Sequence, residues 1–273
     1  MTQRTRTVGL IRRVVTTTAV AVVAAALVAG CEPAASGPAA APGTSAAPTP
    51  KQALLAAVPD GTEGTFRFSG TSATGDVSGL VDPTAKGMEL TVASKDAELG
   101  FTMRMSFRIV ADDLWMKVRF TGAEGLTGLP KLPNRWLKMD RAKLADAEST
   151  PVWEGVDVGN AGPLIEAATR VEEQGAGKYA GTIDLTSGEA AKALEADEVT
   201  ALGDAAKAVP FTAEVGADGN LSRLTLQIPA AGKRKAYPYL VEYRDYGTAP
   251  KVVAPTGTAA QDAPKAAYDL LAG

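Results

Sequence analysis

Between residues 99 and 120 the chain alternates with a period of two. Leu99, Phe101, Met103, Met105, Phe107 and Ile109 are apolar, while Gly100, Thr102, Arg104, Ser106 and Arg108 between them are small or polar. Leu114, Met116, Val118 and Phe120 repeat the pattern beyond Asp112-Asp113. Successive strand side chains point to opposite faces, so each segment is a strand with one apolar side. A loop centred on Asp112-Asp113 predicts an antiparallel hairpin that pairs Ile109 with Met116, Phe107 with Val118 and Met105 with Phe120. A slip of one residue would turn the whole apolar set towards water, which fixes which residues share a face. Asp218-Gly219 marks a second hairpin, because glycine accepts the positive φ of a tight turn. Centring that loop pairs Phe211 with Leu226 and Ala213 with Leu224.

Further strands are predicted at 65–70, 88–94, 134–139, 178–185 and 238–246. Helical spacing interrupts them. Pro163 opens a stretch with Leu164, Ile165, Ala168 and Val171 on one side, ended by Gly175. Residues 187–208 read as one or two alanine-rich helices with Ser187 and Asp197 as N-caps. Lys51 to Val58 reads as a short entrance helix. The fold class expected is α+β: a large curved antiparallel sheet with one polar face, and a few helices covering the apolar face.

The N-terminal segment has a different pattern. Arg4, Arg6, Arg12 and Arg13 precede an apolar run of small residues, from about Ala19 to Ala29, which Val28-Ala29-Gly30-Cys31 closes. The order is that of a signal peptide, and the run is shorter than the roughly twenty residues that cross a bilayer. Its ending resembles the bacterial lipobox, in which the cysteine receives a diacylglyceryl group and becomes the new N-terminus. Val28 stands where leucine is commoner. Residues 1–30 are thus expected as a lipoprotein signal peptide. Residues 31–50, with five prolines and seven alanines after Cys31, are expected as a disordered tether of about 25 Å. Acyl chains stabilise membrane attachment by roughly 0.8 kcal/mol per buried CH₂, so two or more hold firmly. The expected location is the outer face of the cytoplasmic membrane. One folded domain is expected at 51–256, followed by a flexible tail at 257–273 with at most a short helix.

Composition then removes chemistry. The chain has no histidine, and Cys31 is its one cysteine. Triads built on histidine, the commonest general base, and cysteine or histidine metal sites are all excluded. Cleavage before Cys31 removes four arginines from 28 basic residues and none of the 31 acidic ones, leaving a net charge of −7. Such a chain has no electrostatic basis for binding nucleic acid. The acidic pairs Asp112-Asp113 and Glu172-Glu173 lack the spacing of a calcium loop. No enzyme activity, cofactor or metal is expected.

The succession of short motifs is similar to the LppX/LprG-type lipoproteins of the actinobacterial cell envelope, which share a half-barrel sheet with the LolA-like lipoprotein carriers. After the lipobox and tether come Trp115-x-Lys117, Trp136-x-Lys138-Met139-Asp140, the Pro163 helix and Tyr179-x-Gly181-x-Ile183-Asp184. Ala217-Asp218-Gly219, Leu221-x-Arg223-Leu224, Tyr243-Arg244-Asp245-Tyr246-Gly247 and Val252-Val253-x-Pro255 follow. The resemblance covers residues 51–256. It implies an apolar cavity between sheet and helices that holds the acyl chains of a lipid, glycolipid or lipoglycan, and no catalytic motif.

The residues placed to line such a cavity are Met88, Phe101, Met103, Met105, Phe107, Met116, Val118, Phe120, Leu164 and Ile165. Methionine and phenylalanine adapt to flexible chains, yet the same residues equally make a solid sheet core. The competing expectation is a protein-interaction or sensor lipoprotein with that solid core, docking a membrane transporter. Trp115 is expected on the polar face, packed along lysine stems, and Lys233-Arg234-Lys235 as a solvated basic turn. The sharpest consequence lies at Cys31. Intact mass of the chain made in bacteria is expected to start at Cys31 and carry a diacylglyceryl group, and Cys31→Ala to remove that lipid mass. A wild-type chain with a free thiol contradicts the reading.

Overall fold

The computed structural model describes residues 47–72, 75–144 and 150–272. Cys31, the signal segment and most of the tether lie outside the described residues. Among the described residues the fold is α+β, built on one open sheet of twelve strands with four α-helices. In chain order the elements are α1 (Pro50–Ala56), β1 (Phe66–Ser72), β2 (Gly75–Asp82), β3 (Gly87–Lys95), β4 (Thr102–Val110), β5 (Asp113–Thr121) and β6 (Trp136–Met139). Then follow α2 (Ala161–Glu166), β7 (Ala168–Gly175), β8 (Lys178–Ile183), α3 (Ala196–Leu202), β9 (Val209–Val215), β10 (Leu221–Ile228) and β11 (Tyr237–Arg244). The chain closes with β12 (Ala260–Asp262) and α4 (Lys265–Ala272). Spatial order runs β12-β6-β5-β4-β3-β2-β1-β11-β10-β9-β8-β7, so β12 and β7 are the free edges. Every pairing is antiparallel except that of β12 with β6.

Alternation decides the core. One large cluster takes Phe66 and Phe68 from β1, Met105, Phe107 and Ile109 from β4, and Leu114, Met116 and Val118 from β5. From β9, β10 and β11 it takes Phe211, Leu224, Leu226, Tyr239, Val241 and Tyr243, and from the helices Leu54, Leu164 and Ile165. Full burial of one such side chain contributes roughly 1.5–3 kcal/mol.

The second hairpin has the expected register, with Leu226 opposite Phe211 and Leu224 opposite Ala213. The first pairs two residues away from expectation: Ile109 faces Leu114, Phe107 faces Met116 and Met105 faces Val118. The turn is Ala111-Asp112. Ala111 adopts φ 50° and donates its N–H to the Lys86 carbonyl at 3.1 Å, while Asp113 already pairs with Val110. A shift of two preserves the face, so the same side chains are buried.

Two expected helical stretches differ. The Pro163 helix stops at Glu166, and 168–175 is the edge strand β7, paired with β8 through a turn at Ala176-Gly177. The helix end is held by Lys51, whose ammonium donates to the carbonyls of Glu166 (2.7 Å) and Ala168 (2.9 Å). Glu172 and Glu173 therefore sit on a strand and not on a helix surface. In 187–208 the α-helical part is only α3, flanked by 3-10 turns at Gly188–Lys192 and Gly203–Ala208. Its N-cap is Glu195, with Asp197 in the first turn. The entrance helix is as expected, closed by a capping box between Thr49 and Gln52.

The end of the chain, expected as a tail with at most a short helix, has that helix as α4 and also adds a strand to the sheet. After β11, in mid-sheet, the chain passes the six strands β1 to β6 and adds β12 at the far edge. Ala249 and Val252 pack on Leu80, and Val110 joins them, all on the face opposite the main core. Buried Asp82 accepts from the Val252 N–H at 3.1 Å, and Arg108 donates to the Val253 carbonyl at 3.2 Å. Helix α4 buries Ala267, and Tyr268 Oη accepts from the Asp140 N–H at 2.9 Å.

Twice an aromatic ring on one strand lies against a glycine directly opposite. Phe68 faces Gly79, and Phe211 faces Gly181. A Cβ on Gly79 would run into the Phe68 ring and the Glu89 carbonyl. Gly79→Ala is therefore expected to destabilise the fold by about 1–3 kcal/mol, the usual cost of overpacking. A lower midpoint in urea denaturation checks this, and an unchanged midpoint contradicts it.

Candidate apolar site and the polar anchors around it

Seven of the ten residues placed to line a cavity have almost no accessible surface. Met88, Met105, Phe107, Met116, Val118, Leu164 and Ile165 are 0–7% exposed and belong to one packed cluster. The other three, Phe101, Met103 and Phe120, are only half-buried. They sit together at the strand ends of β3, β4 and β5. Met103 pairs with Phe120, and the Phe101 and Phe120 rings lie 6.0 Å apart. Val77 and Val92, paired with each other across β2 and β3, extend the half-buried row. One pair deeper, Met105 and Val118 are closed off. Leu99, on the adjoining turn, is 57% exposed, which is unusual for a leucine here. Half-buried apolar residues also border the cluster elsewhere, Val58, Trp153, Val171, Val215 and Tyr237 among them.

Buried polar groups fasten the helices to β11 near both of its ends. Asp157 accepts from the N–H groups of Ala161 (2.9 Å) and Gly162 (2.8 Å), the first turn of α2, and from the Tyr243 hydroxyl at 3.3 Å. Tyr239 donates to the Gly159 carbonyl at 3.4 Å. Burial pushes the Tyr239 hydroxyl up to about 12 and that of Tyr243 well above its ordinary value, so both remain donors. Glu198 of α3 accepts from Arg234 at 2.5 Å and from the Tyr237 hydroxyl at 2.7 Å. Arg234, expected in a solvated basic turn, is exposed there with Lys233 and Lys235, and its guanidinium also reaches the buried Glu198.

Trp115 departs from expectation in exposure. It faces the polar side, opposite Arg108 and Lys138, with the Lys138 ammonium 5.6 Å from its ring, yet it is only 3% exposed. Lysine packing on the ring is as expected, and a surface position is not. Arg108 also stacks 4.4 Å over Trp136 while paired with Glu89. Period-two counting identifies the face of Trp115 but not the cover that neighbouring long side chains supply.

Among the described residues no group of three or more acidic, cysteine or histidine side chains is placed to hold a metal ion, and no helix is long and apolar enough to cross a membrane. No family model matches the chain, and no curated protein is similar to it in sequence.

Asp157 carries a pH consequence. Burial holds its carboxyl above the usual range, against the opposing pull of the Gly162 and Ala161 amides and the Tyr243 hydroxyl. The folded state then binds the proton more tightly than the unfolded state. This group's contribution to stability is greatest below the unfolded pKa of about 4 and falls as pH rises through the folded value. In urea denaturation across that interval, Asp157→Asn is expected to flatten the fall. A wild-type and variant difference that stays constant with pH contradicts this.

Proposed function

We propose that the chain is a membrane-anchored, non-enzymatic lipoprotein of the LppX/LprG type. In this reading it holds the acyl part of a lipid, glycolipid or lipoglycan against the apolar face of a half-barrel sheet, and carries or presents it in the cell envelope. The observation that carries the reading is the half-buried row of Val77, Val92, Met103 and Phe120, packed on the main core, with the Phe101 ring 6.0 Å from that of Phe120. Burial of apolar surface drives uptake at roughly 0.8 kcal/mol per CH₂. The lipobox supports it too, since an acylated Cys31 on a short tether would confine the domain to the membrane surface. The helices α2 and α3 act as the cover. Entry is at the strand ends, where the row is accessible, and deeper insertion requires Met105 and Val118 to part.

A second reading, an interaction or sensor module that docks a membrane transporter, draws on the tight packing of the other seven residues. Native mass spectrometry separates the two. The full chain in mild detergent is expected to carry a non-covalent mass of lipid size that organic extraction removes, and Met103→Lys with Phe120→Asp to lower its occupancy several-fold. A wild-type spectrum at the polypeptide mass with its covalent lipid alone, before and after incubation with envelope lipid extract, contradicts the lipid reading and favours the second.

A further inference from the structure

The polar side of the sheet carries three neighbouring cations that form no ion pair among the described residues, Arg104, Lys117 and Arg119. The register of β4 and β5 sets Arg104 directly opposite Arg119, and Ser106 opposite Lys117, so Lys117 is the diagonal neighbour of Arg104. Like charges directly opposite on paired strands destabilise a sheet. Among the described residues none of the three forms an ion pair, and Arg119 Nε donates only to Asn134 Oδ1 at 3.1 Å. The carboxylates around them are engaged elsewhere: Glu89 with Arg108, Glu242 with Arg223, and Asp76 with the Thr71 hydroxyl at 3.0 Å. Burial, then the charges of Arg119 and Arg108, hold the Lys117 ammonium below its ordinary range.

Arg104 is also one wall of a groove of about 400 Å³ across β11, β1, β2, β3 and β4. Ser69, Thr71, Ser78 and Thr91 present hydroxyls to it, and Asp76 and Glu242 present carboxylates. Thr91 and Ser106 hydroxyls lie 2.9 Å apart between the groove and Lys117. The covering C-terminal segment touches Leu80 and Val110, towards the opposite strand ends, and the groove residues are not among its contacts.

We propose that this face is a second binding site, for an oxyanion borne on a polyhydroxylated group: a phosphorylated sugar or cyclitol. Arginine forks suit phosphate oxygens, and an oxyanion between Arg104 and Arg119 relieves their repulsion. The polyol lies along the groove, donating to Asp76 and Glu242 and accepting from the serine and threonine hydroxyls. The site opens on the other face of the sheet from the apolar row, and β2 at Val77 borders both. Its ligand is either a soluble polyol phosphate or the same group on a lipid.

Calorimetric titration of the full chain in mild detergent tests this, with myo-inositol 1-phosphate as one probe. Phosphatidylinositol against phosphatidylcholine in the same micelles is the other. Saturable binding of either inositol probe is expected, at least tenfold weaker in Arg104→Gln/Arg119→Gln and unchanged in Lys233→Gln/Lys235→Gln. Binding of the soluble probe assigns a free polyol phosphate, and variant-sensitive binding of the phospholipid alone assigns a headgroup. Without ligand the Arg104/Arg119 variant is expected to melt no lower than wild type, since it loses a repulsion. Lys117→Gln, which leaves both arginines, is expected to weaken binding less. Absence of saturable binding to both probes, or equal affinity in the arginine variant, overturns the proposal.

Discussion

The constraint on which the structure depends is the parity of side-chain direction along the strands. From β1 to β11 alternate residues must reach one buried cluster, and a strand displaced by a single residue would expose its entire apolar set. A displacement of two costs nothing in parity, which is why the β4–β5 hairpin chooses its register by its turn. Ala111 in a left-handed conformation, bonded to Lys86, settles what the apolar pattern leaves open.

Parity also divides the chemistry of the molecule into two faces. One is apolar, packed tightly over most of its strands and half-buried at the ends of β2 to β5 among other places. The other gathers hydroxyls, carboxylates and unpaired cations at that same end, while the C-terminal segment packs over the opposite ends of β2 to β4. A chain that crosses the sheet from β11 to β12 needs fixed points, and buried Asp82 with the Arg108–Val253 contact provides them. Truncation at residue 256 would remove an edge strand and a helix from the fold. The tight cluster between sheet and helices is fastened separately, by Asp157 and Glu198, whose partners come from elements far apart in sequence.

Much of this was legible in the amino-acid order. Strong period-two segments, β4, β5, β9 and β10, declared themselves, as did the strands near 65–70, 88–94, 134–139, 178–185 and 238–246. What escaped did so for physical reasons. In β2, Gly-Asp-Val-Ser-Gly-Leu-Val-Asp, Gly79 makes room for the Phe68 ring, Gly75 has φ 132°, and Leu80 and Val81 serve opposite faces. β7 carries two inward apolar residues that also fit a helical spacing, and pairing with β8 decided between them. β12 is three residues long and exists only because β6 offers an edge. The ten apolar candidates were identifiable as one face, but their division into seven packed and three accessible residues depends on depth along the strands, which periodicity does not encode. The basic cluster required the β4–β5 register, since only that register sets Arg104 against Arg119.

The proposed function requires the apolar face to admit a lipid chain at the ends of β3, β4 and β5. Methyl NMR of methionine-labelled protein, with a nitroxide-bearing fatty acid added, tests it most directly. Met103, half-buried at that end, and Met116, closed off within the core, report on the two depths of one strand pair. Strong broadening of the Met103 methyl with Met116 less affected is the result this account predicts. Unbroadened signals from both, with the fatty acid in excess, would contradict it.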